Sequence, residues 1–423
     1  GTRTASISTS CMNKVIVIGG GAAGLMAALS AAEAGASVLL LEGNEKLGKK
    51  IYITGKGRCN VTNACEPAAF MNKVVKNPRF LFSALNAFGP EDMMALLERL
   101  GCPVKVERGD RVFPVSEKAS DVTRALEKEL RRLGVSIRLN TKVSHILVEN
   151  TAVCGVELED GTRLEADRVV VATGGQSYPS TGSTGDGYLL AHRLGHAIVE
   201  IRPSLTPLET SLPFAESLKG LRLKNISARL AIDDRYVQQE FGELEFTPFV
   251  SGPVTLRMSR QAVDALIDGQ RVAVDLDLKP ALNPTQLRER IAREAETLGP
   301  QAPLSSLLRK LLPAQLIRPF AASLQIPERL PLNAVKAPEL DKIVGQLKLF
   351  RLPISDYRPF EEAIVTAGGV STAEVDPQTM QSRLVKGLYF AGELLDIDAD
   401  TGGYNLQIAY STGHLAGQML GNK

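Results

Sequence analysis

Four apolar residues, Val15 to Ile18, run straight into Gly19-Gly20-Gly21, and this junction sets the reading of the first forty residues. An uninterrupted β-branched run predicts a strand covered on both faces. Past the glycines, Leu25, Ala28, Leu29 and Ala32 fall at i, i+3, i+4 and i+7, which predicts a helix from about Ala22 ended by Gly35. Val38–Leu41 repeats the buried-strand pattern and stops at Glu42. Strand, helix and strand in about thirty residues make a βαβ unit. The uncharged stretch Val15–Ala32 is also about as long as a membrane span. Three successive glycines disfavour a continuous helix, so the membrane reading is rejected.

The amphipathic stripe recurs twice. Met93, Leu96, Leu97 and Leu100 predict a helix closed by Gly101. Val122, Ala125, Leu126, Leu130 and Leu133 predict another, capped by Ser120 or Asp121 and followed by Gly134. Val135–Leu139 and Val169–Ala172 read as buried parallel strands, with a hairpin of Val153–Val156 and Leu164–Ala166 between them. After Arg202-Pro203 the pattern changes to short alternating strands (Ala228–Ile232, Tyr236–Phe241, Val272–Leu276). A proline-studded helical block follows, Thr285–Leu298 and Leu304–Leu312. From Tyr357 the chain is again strand-like and rich in glycine, with a strand at Leu388–Ala391 and a helix from Leu406 to about Leu420. The expected division is a discontinuous Rossmann-type domain, residues 12–202 and 351–423, around an inserted β-rich domain at 203–350 whose helical part covers about 284–330. Residues 1–11 read as a tag remnant or disordered leader before Met12.

Length and charge narrow the function. A chain of 423 residues exceeds one ordinary core. Lys and Arg number 49 against 47 Asp and Glu, with no long single-sign run. That balance gives no footprint for nucleic acid or an anionic membrane, so a small-molecule substrate is expected. Five scattered cysteines (Cys11, Cys59, Cys65, Cys102, Cys154) make no disulfide framework and suit the cytoplasm. The four histidines show no metal-ligand spacing, since His192 and His196 lack a third ligand, and no metal is expected. Nothing in the pattern speaks to the oligomeric state.

The chemistry begins at Gly19-Gly20-Gly21-Ala22-Ala23-Gly24, a G-x-G-x-x-G between strand and helix. The first glycine permits the turn, the second lets a pyrophosphate approach, and the third lets the helix pack on the sheet. A pyrophosphate there meets free N–H groups at the positive helix end. Glu42 ends the next strand, 21 residues after Gly21, where a carboxylate accepts from both ribose hydroxyls. This fingerprint does not separate NAD from FAD. Val169-Val170-Val171-Ala172-Thr173-Gly174-Gly175 resembles the second cofactor segment of two-dinucleotide-binding-domain flavoproteins. Gly387–Glu393, followed by Gly402-Gly403-Tyr404-Asn405-Leu406, resembles their last FAD segment.

A narrower resemblance follows. Gly55-Lys56-Gly57-Arg58-Cys59-Asn60-Val61-Thr62-Asn63 is similar to the G-x-G-R-C-N-V-T-N signature of the BaiN-type, or aminoacetone-oxidase-family, flavoproteins. Gly368-Gly369-Val370, Glu374-Val375-Asp376, Thr379–Ser382 and Thr401–Asn405 agree with it, so the resemblance spans the chain from Met12. It implies an α/β fold, a Rossmann-type FAD-binding domain with an inserted β-barrel-like plus helical domain. It also implies an FAD-dependent oxidoreductase, with reduction of an unsaturated compound among the family's chemistries. Phe246–Pro253 departs from the family's F-T-x-x-G-x-S-G-P by one glycine and one residue of spacing, which weakens any inference about substrate. The expected cofactor contacts are Gly19, Gly21, Ala22, Ala23, Gly24 and Glu42. To these the resemblance adds Lys50, Gly55, Gly57, Arg58, Cys59, Asn60, Val143, Ala172, Thr173, Gly174, Gly175, Gly392, Glu393, Gly403, Tyr404, Asn405 and Leu406. No catalytic residue is assigned; Arg58, Cys59, Asn60 and Tyr404 are the candidates near the flavin.

Three alternatives stay open at this level. Cys59 and Cys65 could form a redox dithiol, though five intervening residues match no redox motif, and Cys59 packing beside the flavin is favoured. Asp186 in Thr184-Gly185-Asp186-Gly187 either orders a loop near the flavin or caps a helix at Leu189–Leu194. No second G-x-G-x-x-G follows a strand, so NAD(P)H would bind only transiently over the flavin. A non-catalytic flavin-binding accessory protein is the third reading.

Overall fold

The computed structural model describes residues 13–418; the leader, Met12 and the helix end expected near Leu420 lie outside the described residues. Two compact units divide the chain, one taking the residues through Arg202 and from Ile364 onward, the other Pro203–Ala363.

The first unit is built on five parallel strands: β1 (Lys14–Ile18), β2 (Ser37–Leu41), β3 (Ser136–Arg138), β4 (Arg168–Val171) and β5 (Leu388–Phe390). Their order is β5-β4-β1-β2-β3, which puts the two strand–glycine motifs side by side at the centre. Val17 lies opposite Val170 on one side and Leu40 on the other, and all three are buried, as two-sided coverage requires. Four helices matter to the site: α1 (Ala22–Glu33), α2 (Ala119–Arg132), α3 (Asp186–Arg193) and α4 (Tyr404–Gly417). α1 and α4 pack through small residues. A Cβ on Gly413 would stand 2.3 Å from the Ala23 carbonyl oxygen, and one on Gly417 2.4 Å from that of Ala27. Backbone therefore meets backbone along this crossing.

Several sequence-based boundaries shift. α2 begins at Ala119 behind an extended Lys118, so neither Ser120 nor Asp121 caps it. α3 starts at Asp186 and α4 at Tyr404, each behind a left-handed glycine, earlier than the Leu189 and Leu406 read from apolar periodicity. Apolar stripes do not register a polar first turn.

The second unit contains a closed six-stranded antiparallel barrel. Its strands at Arg222–Ile232 and Arg235–Phe246 run longer than the sequence suggested. Phe350–Tyr357 pairs with both Val272–Asp277 and Leu208–Thr210 and closes the barrel, which carries this unit past the expected boundary at 350 to Ala363. The helix Pro253–Ile267 and the block Pro284–Leu298, Leu304–Leu308, Ala314–Leu324 and Ala337–Lys348 share its apolar core. The stretch expected as one helix to Leu312 is helical only through Leu308.

Candidate cofactor site

At the centre of the first unit's sheet, the glycines of the first loop divide the roles expected of them. A Cβ on Gly19 would stand 2.3 Å from the Ala172 carbonyl oxygen, and one on Gly24 1.7 Å from that of Gly19. These two glycines close the β1–α1 turn against β4. Gly21 has nothing within 4 Å of its Cβ position, so its backbone faces open space. The first rung of α1 runs from Leu25 N–H to the Gly21 carbonyl, which leaves the N–H groups of Ala22, Ala23 and Gly24 outside the ladder. No acidic side chain occupies that first turn. A positive helix end with an open approach and no carboxylate of its own is an anion cradle. Beside it, Glu42 accepts from the Gly20 N–H at 3.0 Å and the Asn44 N–H at 3.1 Å. The Thr141 N–H donates to the Glu42 carbonyl, which brings the segment leading to Val143 alongside.

A second cradle lies at α4. Gly403, with φ of 95°, caps it, and its first ladder bond is Gln407 N–H to the Gly403 carbonyl. The N–H groups of Tyr404, Asn405 and Leu406 are thus left outside the ladder, again with no acid in the first turn. A Cβ on Gly403 would meet the Thr62 carbonyl oxygen at 2.3 Å and Asn60 Oδ1 at 2.9 Å. Only glycine lets the 60–62 segment come this close. Asn60 Oδ1 and Thr62 Oγ1 are both buried without a hydrogen-bond partner, a costly state for the protein alone.

Between the cradles, Lys50 Nζ donates to Glu393 Oε2 at 2.7 Å, and Glu393 Oε1 accepts from the Thr366 N–H at 2.6 Å. Thr366 Oγ1 accepts from the N–H groups of Gln176 and Ser177, beneath Gly175. Gly392 abuts Ala23, since their Cβ positions would lie 2.7 Å apart. The structure thus gathers Ala172, Thr173, Gly174, Gly175, Lys50, Gly392 and Glu393 around one sheet end. Thr366 and Asn44 were missed from the sequence. Both act through several hydrogen bonds in segments without a motif, although Thr366 sits two residues before the Gly368-Gly369 signal.

Four candidates look different in place. Arg58 is engaged elsewhere: its guanidinium pairs with Glu107 and, at 2.9 Å, with Glu117, and lies 4.0 Å over the Phe113 ring. Cys59 is fully buried and hydrogen-bonded to Thr54; burial pushes its thiol up to about 12. Burial likewise raises Cys65, and Cys59, Cys65, Cys102 and Cys154 are free thiols. Tyr404 rests edge-on against Phe70 at 5.2 Å with its hydroxyl on Cys65, and burial pushes it up to about 12. The Asn405 side chain binds Ala399 and Asp400 and pins the loop before the helix. Asp186 is the first residue of α3, behind Gly185, and makes no side-chain cap. Among the described residues no three metal-ligating side chains cluster, and no helix is long and apolar enough to cross a membrane.

The anion cradle, the Glu42 carboxylate beside it, the second helix end and the orphaned buried acceptors together fit FAD. Comparison with known proteins agrees. The family model described as HI0933-like protein Rossmann domain matches residues 13–419. The chain is 36% identical over 411 residues to a 3-dehydro-bile acid delta(4,6)-reductase of Clostridium scindens, covering 96% of this chain and 98% of that one. It is 30% identical over 408 residues to a ribosomal RNA dihydrouridine synthase of Escherichia coli, covering 96% and 97%. The fold matches Escherichia coli quinol fumarate reductase with a TM-score of 0.53 at 18% identity, over 97% of this chain and 71% of that one. An FAD-dependent oxidoreductase on a Rossmann-type FAD-binding fold, this chain belongs to the HI0933-like family.

Proposed function

We propose that the protein reduces a carbon–carbon double bond conjugated to a carbonyl in a small organic molecule, with NAD(P)H as a transient reductant. The observation that carries this reading is what two full-length relatives have in common. A 3-dehydro-bile acid delta(4,6)-reductase and a dihydrouridine synthase differ in the size and charge of what their names say they act on. In both, the named product is formed by saturating a double bond conjugated to a carbonyl. The balanced charge of this chain favours a small molecule over RNA.

Bound FAD supplies hydride at its N5 atom. The protein's own groups do the rest. Ala22, Ala23 and Gly24 would offer N–H donors to the pyrophosphate, and Glu42 would take the ribose. Lys50 and Glu393, joined by their ion pair, would flank the cofactor between the two helix ends. Gly55 and Gly57 form the turn that carries Cys59 and Asn60, and Ala172 to Gly175 line the opposite side. The N-terminal N–H groups of α4, at Tyr404, Asn405 and Leu406, would stabilise the negative charge that reduction builds on the flavin. The Cys59 thiol and the Tyr404 hydroxyl hold their protons through neutral pH, so neither is an anionic nucleophile. In balance, one NAD(P)H and one proton saturate one double bond and release NAD(P)+.

The test is anaerobic. Protein reduced with one equivalent of NADH or NADPH is mixed with androst-4-ene-3,17-dione, and the return of the oxidised flavin band is followed. Reoxidation by this conjugated enone, but not by its saturated analogue, is the expected result. Reoxidation only by uridine-containing RNA, or by no conjugated carbonyl, would overturn the proposal.

A further inference from the structure

Arg58 belongs to the G-x-G-R-C-N signature, yet its charge is taken up by two carboxylates outside it. Its guanidinium bridges Glu107 and Glu117, and Lys105 bridges the same two carboxylates at 3.4 and 2.5 Å. Lys105 and Glu107 lie on the first strand of a hairpin formed by Val104–Glu107 and Arg111–Pro114, and Glu117 follows the second. Phe113 of that hairpin lies under the Arg58 guanidinium and within 3.3 Å of the Cβ position of Gly55. The turn held in this way is strained. Gly55, Lys56, Gly57 and Cys59 all have φ between 56° and 86°, and for Lys56 and Cys59 that conformation is costly. Such a turn persists only if its surroundings over-determine it. The buried Cys59 anchors one end, and the arginine clamp grips the residue before it.

Two residues on is Asn60, whose buried amide oxygen stands against Gly403 at the head of α4. We propose that Arg58, Glu107, Glu117 and Lys105 form a clamp that sets the position of Asn60 against the N-terminus of α4, so that Arg58 acts on the flavin as a positioning residue through the turn. This rests on the reading above, in which that helix end faces the flavin. Two acidic residues with no place in the cofactor site then control the flavin's environment. One nitrogen, Nη2, reaches both carboxylates while the planar group lies over Phe113, and a lysine at 58 would keep the charge but lose that stacking.

Three variants separate the possibilities: Arg58→Gln, the pair Glu107→Gln with Glu117→Gln, and all three together. For each, the flavin midpoint potential and visible spectrum are measured on fully loaded protein. Cleavage by trypsin after Lys56 is timed on the apoprotein. The expected result is that the acid pair and Arg58→Gln shift potential and spectrum in the same direction. The triple variant should shift no further than either. Trypsin should cut all three at least tenfold faster than the parent protein, and Arg58→Lys should fall between. A shift in Arg58→Gln with none in the acid pair would show direct contact with the flavin and overturn the clamp. So would additive shifts. Asn60→Ala is the control for the underlying reading: if it leaves potential and spectrum unchanged while trypsin still detects the clamp, the assignment of α4 to the flavin falls instead.

Discussion

Two sets of glycines, one from each unit, do different work. In the inserted unit, Gly220, Gly269 and Gly299 have left-handed backbone and nothing within 4 Å of their Cβ positions, so they end helices and turns in open space. In the Rossmann unit, Gly19, Gly24, Gly175 and Gly403 have left-handed or ordinary backbone, but each would drive a Cβ into a neighbouring chain segment at 2.9 Å or less. The first group serves local geometry. The second lets separate segments touch, and those segments meet at the candidate cofactor site.

Gly24→Ala set against Gly269→Ala breaks or sharpens this contrast most strongly. The first pushes a methyl to 1.7 Å from the Gly19 carbonyl, so the loop must open and FAD retention should be lost. The second strains one left-handed position by roughly 1–2 kcal/mol and should leave flavin content unchanged. Flavin per protein and the thermal midpoint of each variant decide it; equal flavin loss in both would end the distinction.

The next largest effect concerns charge. Arg351→Met should destabilise the inserted unit, because Asp275, only 1% exposed, accepts from Arg351 at 2.7 and 2.9 Å and from the Tyr236 hydroxyl at 2.7 Å. A buried carboxylate losing such a partner costs about 1–3 kcal/mol. Burial works to raise the Asp275 pKa, but the hydrogen bonds from Arg351 and Tyr236 outweigh it and hold the pKa below the usual range. A depressed pKa means the stabilisation is present above the unfolded value near 4 and is lost as pH falls below it. Asp275→Asn should therefore flatten the acid limb of stability against pH, read by unfolding midpoints, while bound flavin stays constant.

Glu42→Ala should be comparable in energy but confined to the cofactor. Losing a charge-assisted ribose contact costs roughly 1.5–3 kcal/mol, a tenfold or greater rise in the FAD dissociation constant. The fold should survive, because Glu42 holds only the loop N–H groups of Gly20 and Asn44. Unchanged affinity in flavin titration would remove it from the ribose.

What could be read from the chain follows the same division. β1, the tight turn at Gly19–Gly24 and the start of α1 were legible because a β-branched run, a glycine cluster and a 3.6-residue period are all local signals. The insertion at Pro203 was legible from a change of pattern, but its end was not. Phe350–Tyr357 carries no sign that its partners lie at Leu208 and Val272, so the barrel's closure is a long-range fact. The direction of Arg58 was hidden for a related reason. Its motif neighbours pointed to the flavin, whereas the carboxylates that hold it stand 49 and 59 residues away. Tyr404 and Asn405 were placed at the right helix end, but their side chains serve the helix's own surroundings.

The account turns on the head of α4, and Leu406→Pro tests it most directly. Proline is tolerated in a first turn and deletes one of the N–H groups left outside the ladder. If those donors stabilise the reduced ring, fully loaded Leu406→Pro protein will show a midpoint potential lower by on the order of 10 mV, with reduction by NAD(P)H slowed. An unchanged potential at full FAD occupancy would mean that the helix does not face the flavin.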